Sequence, residues 1–395
     1  MLTPSGATPN GATVTSTLDL AEGLRDRRRY LRELDCARGL AILLVFLFHA
    51  WGLSSLQLPS SPTPGLSLIA GGNTGVTLFF VLSGFLLSLP WLRHAADATQ
   101  PKPLLAAYFK ARALRIVPLY YVALLVTWLL TGNTATVARA ALFQFVGFQA
   151  FPYSVVWWTL VTEVQFYLLL PVGMVLWTGG RWPRLLCLAL LLAWAACYAN
   201  LVLFGELASD KSFLLTKSVF ARAPAFLAGI AAAAIWLRLL QVSALSRQRP
   251  LARWGVLLLL LTALVLLERL LLAVTQMGTG AAESSWHIHH SYEAALWAVI
   301  ILCLLLGDLP AKGLLVNRGL AIVGKLSYSL YLVHVPVLFY LIYPMRESMG
   351  AAAYHASGWL YLVPMVALAL SLALSLASYQ WLEKPFLRRK RALPV

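Results

Sequence analysis

Ten residues, GLAILLVFLF, separate Arg38 from His49. An apolar run of this length reads as a helix. Eleven steps of about 100° end about 20° past three turns, so both side chains share one helix face, about 16 Å apart along it. A neutral imidazole takes up a proton near pH 7 and suits a general base. A packing imidazole with an arginine reaching for the interface would show the same spacing. Glu163 stands among Trp157, Trp158, Phe166 and Tyr167. A carboxylate there faces a protein interior rather than lipid, to orient His49, bind a hydroxyl or pair with Arg222. Arg112 and Arg115 form an RxxR whose members share a helix face. Two guanidiniums so placed suit phosphate groups, and they would equally serve as interfacial anchors. Arg222, within ARAPAF, needs an acidic or hydroxyl partner. Tyr328, Tyr331 and His334 follow one another at i, i+3 and i+6, as a polar network or as aromatic packing.

The elements that position these residues follow from composition. The chain has 395 residues, 60% hydrophobic and 12% charged, and its mean hydropathy is +0.76. A soluble domain carries roughly 25% charged residues. This much apolar surface requires lipid as solvent, which excludes a secreted disulfide-stapled protein and a disordered one. About ten apolar runs are long enough to cross a bilayer: 36–56, 72–92, 113–131, 155–178, 184–204, 218–240, 252–275, 291–309, 321–343 and 359–382. Segment 136–151 is short and reads as re-entrant or interfacial. The fold class expected is an all-α polytopic membrane protein with both termini in the cytoplasm.

The net charge of +16 could mean a nucleic-acid partner, so the positions of the charges matter. With a cytoplasmic N-terminus, Arg139, Lys211, Lys217 and Arg346 fall outside and Arg222 and Arg269 within runs, leaving 25 of the 31 Lys and Arg on the inside. That asymmetry is the positive-inside rule, not a nucleic-acid stripe, and it supports an even number of crossings. Residues 1–33 read as a disordered cytoplasmic tail, 34–385 as the membrane domain and 386–395 as a basic tail. Nothing in the first 30 residues resembles a cleavable secretory signal. Cys36, Cys187, Cys197 and Cys303 lie in or beside apolar runs, without zinc-ligand spacing. His287, His289 and His290 form an HxHH expected in a solvated outer loop, and no metal is expected. Gly71, Gly72, Gly75 and Gly84 edge the second run and suit close helix packing. The adjacent Glu268 and Arg269 point to different faces and receive no role.

In their order along the chain these blocks resemble the acyltransferase 3 family, the integral-membrane acetylases of bacterial glycans. LDCARGLAILLVFLFHA is similar to the family's opening block with its R-x10-H. GVTLFFVLSGFLLS, YFKARALRIVPLYY, SVVWWTLVTEVQFYLLLP, LSYSLYLVHVPV and WLEKPFLRR resemble later ones. Two positions depart from the pattern: Val164 and Ala225 stand where the family often carries acids. The resemblance implies an acyl-CoA-dependent O-acetyltransferase of the bacterial inner (cytoplasmic) membrane, with acetyl-CoA as donor substrate. Its acceptor would be a hydroxyl on a glycan, a lipid-linked sugar or a secreted metabolite, often across the membrane. It implies His49 as base with Glu163 as orienter, and Arg112 and Arg115 with Arg38 on the CoA phosphates. The oxyanion donor stays open among Tyr331, Asn73 and a backbone N–H.

Readings from other classes compete. A transporter or flippase of a lipid-linked or acylated product would also hold ten helices and intramembrane charges, but would not require an RxxR joined to R-x10-H. A polyprenyl-phosphate glycosyltransferase would carry paired acids in an outer loop, and Glu206, Asp210, Glu283 and Glu347 form no such pair. A scaffold would leave His49 and Glu163 without purpose.

Overall fold

The structure is a computed structural model that describes residues 12–56, 65–200, 216–243, 250–277, 279–307, 309–310 and 312–391. Its long helices are α1 (Ala12–Leu53), α2 (Thr74–Ala96), α3 (Leu105–Thr131), α4 (Trp157–Thr178), α5 (Arg181–Tyr198), α6 (Val219–Ser243), α7 (Pro250–Gln276), α8 (Thr279–Leu306), α9 (Arg318–Met349) and α10 (Trp359–Ser378). A π turn, Tyr379–Glu383, leads into the basic α11 (Lys384–Arg391). No strand occurs among the described residues. The fold is all-α and membrane-embedded. Apolar side chains such as Leu129, Leu192, Leu258 and Tyr361 stand exposed on the perimeter, where lipid would cover them.

Nine helices among the described residues are long and apolar enough to cross a membrane, where ten runs were expected. The missing one is the run at 184–204. It forms α5, whose expected last residues, 201–204, lie outside the described residues. The packing shows that α5 nevertheless traverses. It runs antiparallel to α4, with Arg184 Nε donating to the Trp177 carbonyl (3.0 Å) and Cys187 near the Gly173 carbonyl. Its far end meets α6, where Trp194 Nε1 donates to the Phe220 carbonyl (3.0 Å). Yet α4 and α6 run parallel. Thr162 bonds to the Lys217 carbonyl, Gln165 accepts from the Val219 amide, and Phe166 stacks on Phe226. Two parallel neighbours need a return stroke between them, and α5, at 18 residues or about 27 Å, supplies it.

The same logic fixes the centre of the bundle. From Glu33 to Leu53, α1 runs parallel to α9. Glu33 pairs with Lys312 at one end, Cys36 donates to the Asn317 carbonyl, and the Leu53 carbonyl accepts from Arg346 at the other end. Seven long helices lie between them among the described residues, α5 included, and parallel packing fits that odd number. The two helices touch backbone to backbone where Gly39 faces Gly324. A Cβ on Gly324 would overlap the Asp35 carbonyl oxygen, and one on Gly39 the Leu320 carbonyl oxygen. Antiparallel α2 is held against α1 in the same way, with Gly75 seated on Ala41 and Val45.

One sequence expectation changes, and one helix starts earlier than the apolar pattern. α1 is helical from Ala12, inside the segment 1–33 read as a tail. Its Leu, Ala, Glu and Arg content favours helix. Residues 1–11 lie outside the described residues. The HxHH does not sit in a loop, because α8 begins at Thr279, well before the apolar run. The segment after α3 folds as a short helix, Thr134–Ala141, tied down by Tyr120 and Tyr121 hydroxyls on the Ala140 and Ala141 carbonyls.

Gly324→Ala is expected to force α1 and α9 apart and cost about 1–3 kcal/mol. Gly173→Ala, which points into open space inside α4, is expected to stabilise by about 0.5–1 kcal/mol. Thermal unfolding of both variants in detergent micelles measures the difference.

Candidate active site

A cavity lies on the neighbouring face of α1, walled by α2, α3, α4 and α9, with about 790 Å³ of atom-free space, its opening to solvent included. Arg38 comes from α1, Ser83 from α2, Arg112 and Arg115 from α3, Glu163 and Tyr167 from α4, and Tyr328 and Tyr331 from α9. The arginines predicted from two distant motifs thus share one chamber with Glu163. Arg38 lies 3.9 Å from Asp35. The Arg112 guanidinium stands 5.8 Å from the Tyr167 ring centre. The buried Nε of Arg112 and the buried Tyr108 hydroxyl have no hydrogen-bond partner among the described residues. Three guanidiniums against one lining carboxylate leave the chamber positive, with donor capacity unused, which suits an anion.

Glu163 is fixed from two sides. Its Oε1 accepts from Ser83 (3.0 Å) and from Tyr167 (2.5 Å), which lies one turn along the same helix. Among the described residues no hydrogen bond joins it to His49, whose partners are the Val45 carbonyl and His334. The physical reason is depth: Glu163 belongs to the arginine layer, and His49 stands about 16 Å beyond Arg38 along α1.

His334 stands where Glu163 was expected. Its Nδ1 lies 3.0 and 2.9 Å from the Leu330 and Tyr331 carbonyls, and its Nε2 lies 3.2 Å from His49 Nδ1. Carbonyls only accept, so in the neutral ring the His334 proton sits on Nδ1 and Nε2 is a lone pair. His49 Nδ1 also faces the Val45 carbonyl, at 2.9 Å. Two acceptors aimed at His49 Nδ1 place its proton there. The lone pair of His49 is therefore on Nε2, in a half-buried ring, while His334 is fully buried. This assignment rests on the partner atoms, and it gives His49 the form a base needs.

Between the two layers lies Tyr331. Its hydroxyl is 2.7 Å from Thr159 Oγ1 and donates to the Val156 carbonyl at 3.3 Å. Its ring centre is 5.8 Å from that of His334 and 6.2 Å from that of Phe79. The Tyr328 hydroxyl donates to the Ile116 carbonyl (2.8 Å), joining α9 to α3 just after the RxxR.

Arg222 belongs to a different place. It is fully buried, its guanidinium stands 5.1 Å from the Trp158 ring centre, and it lies within electrostatic reach of Glu293, not Glu163. Glu293 accepts from Thr77 (2.9 Å), whose hydroxyl is also 3.0 Å from His290 Nδ1. His290 is thus a core residue, and the side chain of His287 lies outside the described residues. No group of three His, Cys, Asp or Glu suited to a metal occurs among the described residues. Sequence reasoning missed Ser83, Thr159, Phe79, Glu293 and Glu383. Glu383 is buried and bonded to Ser329 of α9, close enough to Arg115 to feel its charge. Tyr167 was within reach, because i, i+4 spacing places it beside Glu163.

The comparison with known families settles what this architecture is. A family profile described as an acyltransferase domain matches residues 31–378. The chain belongs to the acyltransferase 3 family. It is 26% identical over 391 residues to Nodulation protein 10 of Rhizobium leguminosarum bv. viciae, covering 91% of this chain and 94% of that one. No solved structure matches it. The acyltransferase 3 match runs from just before the first crossing to the end of α10, and so takes in both the arginine layer and the imidazole pair. The chain is an integral membrane protein of an acyltransferase family.

Tyr167→Phe removes a hydroxyl from a carboxylate in the arginine chamber. A hydrogen bond to a charged group contributes about 1.5–3 kcal/mol, and a destabilisation of that size is expected in micelle unfolding experiments. Tyr121→Phe, which loses a bond on the exposed perimeter, is expected to cost less.

Proposed function

We propose that this chain is an acyl-CoA-dependent O-acyltransferase. It moves an acetyl group from cytosolic acetyl-CoA to a hydroxyl of a glycan, a lipid-linked sugar or a secreted metabolite, with His49 as general base. The observation that carries the reading is the polarity of the site along α1. A guanidinium chamber with unused donors stands at one end, and an imidazole with a defined lone pair stands at the other.

The charge asymmetry of the loops supports a cytoplasmic position for the Arg38 end. Acidic phosphates and an adenine would be held there by Arg38, Arg112 and Arg115, and a slender pantetheine arm would reach along α1. The acceptor hydroxyl then attacks the thioester carbonyl as His49 Nε2 takes its proton. The new C–O bond forms, the C–S bond breaks, and the proton passes from His49 to the departing thiolate. An ester and free CoA result, with no net proton. His334 supports the step by keeping the His49 proton on Nδ1, as the third member of a triad does. A bacterial inner-membrane setting, with the acceptor on the far side, fits this layout.

Radiolabelled acetyl-CoA supplied to membranes tests the proposal. Label is expected in glycan or water with the unaltered chain, and not with His49→Ala or the Arg112→Ala/Arg115→Ala pair. Equal label from all three would remove the site assignment and favour a transporter. His334→Ala is expected to lower kcat by about 10²–10⁴-fold, the range for acid–base groups, with KM for the donor unchanged. A KM effect instead would make His334 part of the donor site. Because the base must be neutral, kcat/KM is expected to fall on acidification in the unaltered chain.

A further inference from the structure

Neither His49 nor His334 is among the residues that line the arginine chamber. Val76, Phe79, Thr159 and Tyr331 are, and Tyr331, whose ring meets both Phe79 and His334, makes the wall between chamber and imidazoles. Because Gly75 packs on Ala41 and Val45, this wall lies at the level of Val45, one helical turn before His49. A membrane protein with a polar chamber on one side needs such a wall, since an open passage would leak ions and water.

The two rings that close the wall differ in freedom. Tyr331 is buried and its hydroxyl is held by Thr159 and the Val156 carbonyl. Neighbouring Phe80 is buried between two rings, tilted against Phe226 with centres 4.7 Å apart and edge-on to Trp158 at 6.4 Å. Phe79 is only partly buried, and its one ring contact among the described residues is the edge-on approach to Tyr331, at 6.2 Å and 77°. It carries no polar anchor, so a rotamer change separates it from Tyr331 without breaking a hydrogen bond.

We infer that the Phe79–Tyr331 contact is a gate between the donor chamber and His49, with Phe79 the moving leaf, and that the opening it allows limits transfer to short acyl groups. The inference rests on the acyl-CoA reading above. It assigns Phe79 a specificity role, touching the acyl chain as it passes and not the reacting atoms. One methylene too many in a shaped apolar passage costs about 10–200-fold in kcat/KM, so widening the passage should recover that factor.

The test compares acetyl-CoA with butyryl-CoA as donors for the purified chain, Phe79→Ala and Phe79→Leu, with turnover followed by release of free CoA. Phe79→Ala is expected to raise the butyryl-to-acetyl ratio of kcat/KM at least tenfold, with Phe79→Leu in between. If the alanine variant does not fold, as judged by gel filtration and micelle unfolding, the leucine variant alone is expected to show a raised ratio. An unchanged ratio in a folded, active variant overturns the gate. So does equal loss with both donors, which would make Phe79 a packing residue. Absence of acetyl-CoA turnover by the unaltered chain would instead overturn the acyl-CoA reading, and the gate with it.

Discussion

Two residues without side chains, Gly39 and Gly324, let α1 and α9 meet backbone to backbone, and the site depends on that meeting. Apolar surface gives lipid-embedded helices little reason to associate, so close backbone approach and dispersion must hold them. The crossing also sets register. Ten residues beyond each glycine along the parallel helices stand His49 and His334, 3.2 Å apart. A slip of one residue on either helix would turn one imidazole by about 100° and end the contact. The glycine pair is therefore as much a part of the imidazole pair as the rings are.

The arginine layer answers a different constraint. Charges within a bilayer cost at least about 2.5–3.5 kcal/mol each on insertion scales. The chain gathers Arg38, Arg112 and Arg115 around one cavity and sets Glu163, Asp35 and Glu383 near them. Of the three carboxylates only Glu163 lines the cavity, so the lining itself stays positive while the layer as a whole is close to balanced. Arg222 shows the other solution: it is fully buried against Trp158, within reach of the Glu293 charge.

What was legible in the sequence was whatever one helix can encode. The shared face of Arg38 and His49, the RxxR face and the apolar runs all follow from helical period and length. Partners drawn from different helices were not legible. Glu163 looked like the orienter of His49 because both are polar groups in apolar runs, but the structure separates them by depth and supplies His334 from 285 residues away. α5 was read correctly as a run, yet its crossing is shown by the parallel packing of α4 and α6, a fact of tertiary structure. The HxHH was misplaced because α8 starts in polar sequence, where hydropathy gives no signal.

The parallel pairing of α1 with α9 also orders events in time. His49 emerges from the ribosome early and its partner 285 residues later. At roughly 5–20 residues per second, α1 waits on the order of 15–60 s before the helix that completes it is made. During that interval Arg38 and the bare face around Gly39 sit in the membrane without their final neighbour. The imidazole pair is thus among the last parts of the molecule to form, and a chain that stops short of α9 would carry every arginine of the chamber and His49 without its partner imidazole.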